Sequence, residues 1–239
     1  MPSAIHRRRA FACAAAAWTL AAAAGAALAA TDDGDARDTS AANLLAVLRE
    51  SAGENKQDEA LRPYGPLEGT TAQGRPVQFE PSWYRYLGDM HIRLVFDGER
   101  TLQSASPQDL ERLQLTPEGA LHLAVANLRR VYGPPQVQPW SGGLMQVQAA
   151  APELTSSYFL DRELWQHLQA GHPEGLVVAV PRRGGLVFAP AGDPQAVDSL
   201  RFGVAALYAG GPGARLSSAL YLFRDGQWSV FQAPLPATP

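Results

Sequence analysis

Residues 176–180 constrain the fold of this chain more than any other part of the sequence. They read Leu-Val-Val-Ala-Val, an unbroken apolar run rich in β-branched residues. Such a run is typical of a central strand that is buried on both faces. Residues 182–185 contain two glycines and favour a turn, and the apolar residues 186–188 form the return strand. The sequence therefore predicts a sheet with this hairpin in it.

Alternation and turn dipeptides predict further strands. From Met90 to Phe96 every second residue is apolar, which predicts a strand with one buried face, and Asp97-Gly98 predicts a turn after it. Asp225-Gly226 lies between two apolar runs and predicts another hairpin. The remaining predicted strands are residues 101–104, 144–149 and 156–160.

Helix start signals occur four times. Ser106-Pro107, Thr116-Pro117 and Asp193-Pro194 each place a capping side chain before a proline at the first helical position, and Asp161 is the fourth N-cap. The helix after Thr116 has one apolar face at helical spacing and ends at Gly133-Pro134. Because hairpins and helices are interspersed, we expect a single α+β domain with a mixed or antiparallel sheet, packed by three to four helices.

The first 29 residues predict an export signal. Arg7, Arg8 and Arg9 precede an uncharged, Ala-rich run. After it, Ala27-Leu28-Ala29 offers small residues at the two positions that a signal peptidase recognises. Because alanine contributes little to membrane insertion, we expect cleavage near Ala29 and no stable membrane span afterwards. The protein is then periplasmic or secreted. Arg8-Arg9 followed by Phe11 also resembles the twin-arginine motif, so both export routes remain open.

Residues 30–74 form an acidic segment with one aromatic residue, Tyr64. This composition predicts a flexible arm ahead of a domain at residues 75–239. Within the arm, residues 44–48 contain four large apolar side chains and predict one short helix. That helix either packs on the edge of the domain or docks on a partner.

Composition excludes several functional classes. The only cysteine, Cys13, lies in the signal, so the exported chain has no disulfide, no Cys-ligated metal and no Cys nucleophile. Nearly all of the 20 basic residues are arginines, which we attribute to coding bias. The net charge is −3, so we expect no nucleic-acid partner.

The region from residue 87 to residue 231 resembles the YtpQ-like family, a bacterial family of uncharacterised function. Four segments carry the resemblance: residues 87–91 with the strand that follows, 121–129, 157–165 and 177–183. The chain departs from the family pattern at Gly184, where the family has an acidic residue. The resemblance implies an α+β fold and no defined reaction.

Four residues are candidates for a site. Asp89 and His91 lie two apart at the start of a strand, so they share a face and suit an acid/base pair or two metal ligands; the alternative is a turn-capping aspartate and a solvent-facing histidine. Ser157 is a candidate nucleophile without a Gly-x-Ser-x-Gly elbow. Arg183, followed by two glycines, is a candidate anion-binding residue or part of a surface turn.

No acid, base and nucleophile converge in this pattern. We therefore expect a noncatalytic binding or interaction module, with no cofactor and no metal. Its partner is a protein or a small anionic ligand. The alternative is an extracytoplasmic hydrolase-type enzyme that uses Asp89 and His91.

Overall fold

Apart from residues 44–48 and 156–160, the strands and helices follow one another in the predicted order. The computed structural model describes residues 38–71, 73–98, 101–209 and 214–236, so the predicted signal peptide lies outside the described residues. The strands are β1 (Leu44–Glu50), β2 (Arg62–Pro63), β3 (Leu67–Thr70), β4 (Pro76–Phe79), β5 (Trp83–Arg85), β6 (Met90–Asp97), β7 (Leu102–Ser104), β8 (Gln136–Pro139), β9 (Met145–Gln148), β10 (Leu176–Arg182), β11 (Gly185–Pro190), β12 (Leu220–Arg224) and β13 (Gln227–Gln232). The α-helices are α1 (Pro107–Arg112), α2 (Pro117–Tyr132), α3 (Arg162–Gln169) and α4 (Pro194–Ala209).

The strands form two main antiparallel sheets. The first sheet has the order β1-β6-β5-β2, with β7 also paired to β6, and the second has the order β13-β12-β10-β11-β9-β8. A separate hairpin joins β3 and β4. With the four α-helices found in the described residues, this arrangement confirms the predicted α+β single domain with antiparallel sheets and hairpins.

The predicted central strand lies inside the second sheet. β10 pairs with β11 on one side and with β12 on the other, and each of its residues from Leu176 to Val180 is 0% exposed. On one face Val177 and Ala179 pack with residues of α4, while Val178 and Val180 belong to the larger core. Two-sided burial explains why this run shows no alternation.

The predicted helix at residues 44–48 is wrong. These residues form most of β1, which pairs along its whole length with β6, and all five are at most 3% exposed. A strand covered on both faces lacks the alternation that identifies strands locally, so the apolar run was assigned to a helix. Because β1 is a core strand, the folded domain begins well before residue 75.

A second local prediction also differs from the structure. Residues 156–160, predicted as a strand, are part of a 3₁₀ helix at Pro152–Leu160. The N-caps are confirmed: the hydroxyl of Ser106 accepts from the backbone N–H of Asp109, and the carboxylate of Asp161 accepts from that of Leu164. Within the described segments, no helix is long and apolar enough to cross a membrane.

Candidate functional site

His91 is buried, which makes the predicted solvent-facing histidine wrong. It is 4% exposed, and Asp89 beside it is 3% exposed. The Tyr64 ring packs edge-on against the imidazole with centroids 5.2 Å apart, and the Trp83 ring lies 5.9 Å away. The local alternation did place His91 and Arg93 on the same face, but aromatic side chains from elsewhere in the chain cover the histidine.

Asp89 connects the two sheets. Its carboxylate accepts hydrogen bonds from the hydroxyls of Ser217 and Tyr221 and from the backbone N–H of Ser218, all in or next to β12. Burial raises the pKa of Asp89, and the three hydrogen bonds oppose that rise. The carboxylate therefore has a full set of protein partners from the second sheet.

His91 has a different set of partners. Arg93 Nε donates to His91 Nε2 over 2.9 Å, and His91 Nδ1 lies 3.0 Å from Ser51 Oγ. A guanidinium can only donate, so Nε2 is unprotonated and the neutral imidazole carries its proton on Nδ1, towards Ser51. Ser51 Oγ in turn lies 2.6 Å from the Tyr64 hydroxyl. Burial and the charges of Arg93 and Arg49 lower the pKa of His91 to about 3.

Arginines from three neighbouring strands surround this histidine on one face of the first sheet. Arg49 on β1 and Arg85 on β5 are both cross-strand partners of His91, and Arg93 lies two residues further along β6. Cross-strand partners and residues two apart share a face, so all four side chains are on the same side. The Arg93 guanidinium also stacks 3.5 Å from the centre of the Trp83 ring.

These arginines differ in how their charges are compensated. Arg85 pairs with Glu54 over 2.8 Å. Arg49 and Arg93 are partly buried, and in the part of the chain that the structure describes neither lies within ion-pair distance of a carboxylate. Burial, together with the positive charge of Arg183, lowers the pKa of each to about 10.

Arg183 approaches from the second sheet. It lies in the exposed turn between β10 and β11, and its charge acts on both Arg49 and Arg93. Among the described residues no carboxylate lies within ion-pair distance of it. We call Arg49, Arg93 and Arg183 the arginine cluster. Three guanidiniums without a counter-ion form a local positive potential that favours an anion.

The four residues predicted from the sequence do not share one hydrogen-bond network. Asp89 and His91 bond to different partners. The Ser157 hydroxyl is buried and has no hydrogen-bond partner among the described residues. Its neighbour Ser156 donates a backbone N–H to the carbonyl of Arg183, which places the 3₁₀ helix beside the turn.

Sequence reasoning missed Arg49, Arg93, Ser51 and Tyr64. The alternation of β6 already placed Arg93 beside His91, and that signal was available. Arg49 was hidden because the segment before it was assigned to a helix. Tyr64 and Ser51 reach His91 only through the tertiary fold.

A groove of about 570 Å³ lies elsewhere, between α2 and α3. Leu121, Val125 and Leu160 line its apolar part. At its rim Arg129 bonds to both Asp161 and Glu163, so these charges are compensated, unlike those of the arginine cluster. No set of three or more His, Cys, Asp or Glu side chains in the described ranges is arranged to hold a metal ion.

Comparisons with protein-family models, with curated proteins and with solved structures found no match. The resemblance to the YtpQ-like family therefore stays a prediction.

Proposed function

We propose that this protein is a noncatalytic binding module that takes a small anionic ligand at the arginine cluster. The observation that carries the proposal is that Arg49 and Arg93 share one face of the first sheet with no described carboxylate within ion-pair distance of either. The turn that bears Arg183 lies beside the 3₁₀ helix that packs on β1, and its charge acts on both arginines. Like charges held together in this way weaken the fold unless an anion compensates them. A bound anion would supply both the missing charge and the missing hydrogen-bond acceptors.

The contacts of His91 and Asp89 favour binding over hydrolysis. A general base works best when its pKa is near the working pH, and the pKa of His91 is lowered to about 3. The Nε2 atom of His91, which would take a proton, already accepts from Arg93. Asp89 is engaged with the second sheet and does not orient the imidazole.

We further propose that the module acts outside the cytoplasm. The support is the sequence of the first 29 residues, with three arginines, an apolar run and a small-residue cleavage site. Fractionation of cells that express the full chain would test this, with the N-terminus of the processed protein expected near Ala30.

Anion-dependent thermal stability tests the binding proposal. The purified protein is melted in chloride alone and in sulfate, phosphate, malonate or citrate at constant ionic strength. At least one anion should raise the melting temperature saturably, because a ligand that binds only the folded state stabilises it. Constant ionic strength separates binding from general screening.

Two variants and one control complete the experiment. Arg49→Gln and Arg93→Gln should abolish the anion-specific rise, whereas Arg224→Gln, at the exposed end of β12, should leave it unchanged. If no anion raises the melting temperature beyond chloride, or if Arg49→Gln keeps the full rise, the proposed site is wrong.

A further inference from the structure

The groups at the arginine cluster are almost all donors. Arg49 uses Nη1 on the Leu48 carbonyl, and Arg93 uses Nε on His91. The other N–H groups of these two side chains have no partner among the described residues, and a guanidinium has no acceptor. A ligand must therefore offer acceptors, and a ligand rich in hydroxyl or amino donors would leave its own donors unpaired.

The two partly used guanidiniums keep complete forks. With Nη1 engaged, Arg49 retains the side-on pair Nε and Nη2. With Nε engaged, Arg93 retains the end-on pair Nη1 and Nη2. Each fork matches two acceptor sites of an oxyanion. One planar carboxylate has two oxygens for these forks and for Arg183, whereas a tetrahedral oxyanion presents three or four.

The aromatic faces beside the cluster are occupied. The Arg93 guanidinium covers the Trp83 ring at 3.5 Å, and the Arg85 guanidinium lies 4.3 Å from the centre of the Tyr64 ring. A nucleobase or other aryl group would have to displace one of these cations to stack there. The cluster therefore favours a compact ligand over a nucleotide.

We infer that the ligand of the arginine cluster is a compact tetrahedral oxyanion with two negative charges, a phosphate group, held by the forks of Arg49 and Arg93 and neutralised further by Arg183. This inference rests on the proposed function and narrows it to one chemical class. Free phosphate and the phosphoryl group of a small phosphomonoester share this chemistry.

Isothermal titration calorimetry at constant ionic strength tests the class. The probes are inorganic phosphate, glycerol phosphate, sulfate and malonate. Phosphate and sulfate should bind one per chain and about tenfold or more tighter than malonate, because only a tetrahedral anion satisfies both forks and Arg183. If glycerol phosphate binds as tightly as inorganic phosphate, the site accepts phosphomonoesters. If glycerol phosphate does not bind, the site is specific for the free anion. Both results support a tetrahedral oxyanion as the ligand.

Arg93→Lys separates fork recognition from charge alone. Lysine keeps the charge but loses the planar pair of donors, so phosphate affinity should fall about tenfold or more. Arg224→Lys, outside the cluster, should leave affinity unchanged. Circular dichroism verifies that the Arg93→Lys variant is folded. If the folded variant keeps the full phosphate affinity of the parent, recognition by the guanidinium fork is wrong.

The pH profile tests the requirement for two charges. The second proton of a phosphomonoester leaves at a pH of about 6, so the affinity for glycerol phosphate should rise through that range. Sulfate keeps both charges throughout, and its profile reports any titration of the facing His91 and Tyr64 and of the neighbouring arginines. A glycerol phosphate profile that matches the sulfate profile would overturn the dianion requirement.

Malonate that binds as tightly as phosphate would overturn the tetrahedral class but leave the anion-binding function standing. The absence of saturable binding by every probe would overturn both the tetrahedral class and the anion-binding function.

Discussion

Arg49 and Arg93 occupy diagonal positions on neighbouring strands, where like charges repel. Arginine keeps its charge at any physiological pH, so this repulsion persists in the protein without a ligand. If Arg49 serves ligand binding, replacing it should stabilise the ligand-free protein, because one repulsive charge is removed. If Arg49 serves stability, replacing it should destabilise the protein.

Arg49→Gln should stabilise the anion-free protein at low salt by about 0.5 kcal/mol, the scale of one screened charge pair. Glutamine keeps part of the aliphatic packing and removes the charge. Urea unfolding in dilute chloride measures the change, and the gain should shrink in high salt because the repulsion is screened. A variant that is less stable than the parent in dilute chloride would show that Arg49 has a structural role instead.

His91 should make the protein sensitive to acid. Its pKa falls from 6.5 to about 3 on folding, so the unfolded chain binds the proton more readily throughout that interval. The free energy of unfolding should therefore rise from pH 3 to pH 6.5 and level off above it, by up to about 1.4 kcal/mol for each pH unit.

Urea unfolding across this pH range gives the measurement. His91→Gln should flatten the slope, whereas His122→Gln, at an exposed position on α2, should retain it. An equal slope in the parent and in His91→Gln would contradict the buried neutral imidazole.

At the scale of secondary-structure elements, the helix caps and the hairpins could be predicted from residues close together in the sequence, whereas β1 could not. Ser106, Thr116 and Asp161 cap their helices through contacts within three residues, so the sequence alone predicts them. The strand assignment of β1 depends on pairing with β6, whose partner residues are 40 to 52 positions away in the chain. This pairing also places Arg49 opposite His91.

Leu48→Ala should lower the free energy of unfolding by about 3 kcal/mol, because the side chain is fully buried and its removal leaves a cavity. Denaturant unfolding measures this loss. Leu235→Ala, at a position that is 55% exposed, is the matched control and should change stability by less than about 0.5 kcal/mol. Similar small effects for both would indicate that residues 44–48 belong to an arm outside the core.

At the scale of the whole molecule, the site draws on both sheets. The first sheet supplies Arg49 and Arg93, and the turn between β10 and β11 supplies Arg183. Asp89 ties the start of β6 to the residues around β12 and helps to hold the sheets in place. The relative position of the sheets therefore decides whether the three guanidiniums form one site.

Asp89→Ala should destabilise the protein by about 2 kcal/mol, because it leaves the hydroxyls of Ser217 and Tyr221 and the Ser218 N–H without their acceptor. It should also weaken anion binding, because the two sheets carry different parts of the arginine cluster. Thermal unfolding measures the first effect and calorimetry with phosphate the second. Asp198→Ala, on the exposed face of α4, is the control and should change neither the melting temperature nor the phosphate affinity. An unchanged melting temperature in Asp89→Ala would show that the hydrogen bonds of Asp89 to the residues around β12 are dispensable.

The sequence by itself determined the α+β class, the capped helices, the central strand β10 and the two Asp-Gly hairpins, because each depends on residues close together in the chain. It also singled out Asp89, His91 and Arg183. Only the tertiary structure decided that β1 is a strand, that His91 is buried and neutral, and that Arg49 and Arg93 share a face within reach of the charge of Arg183. Those outcomes depend on strand pairing, burial and the distance between charges, which connect residues far apart in the chain and leave no local pattern.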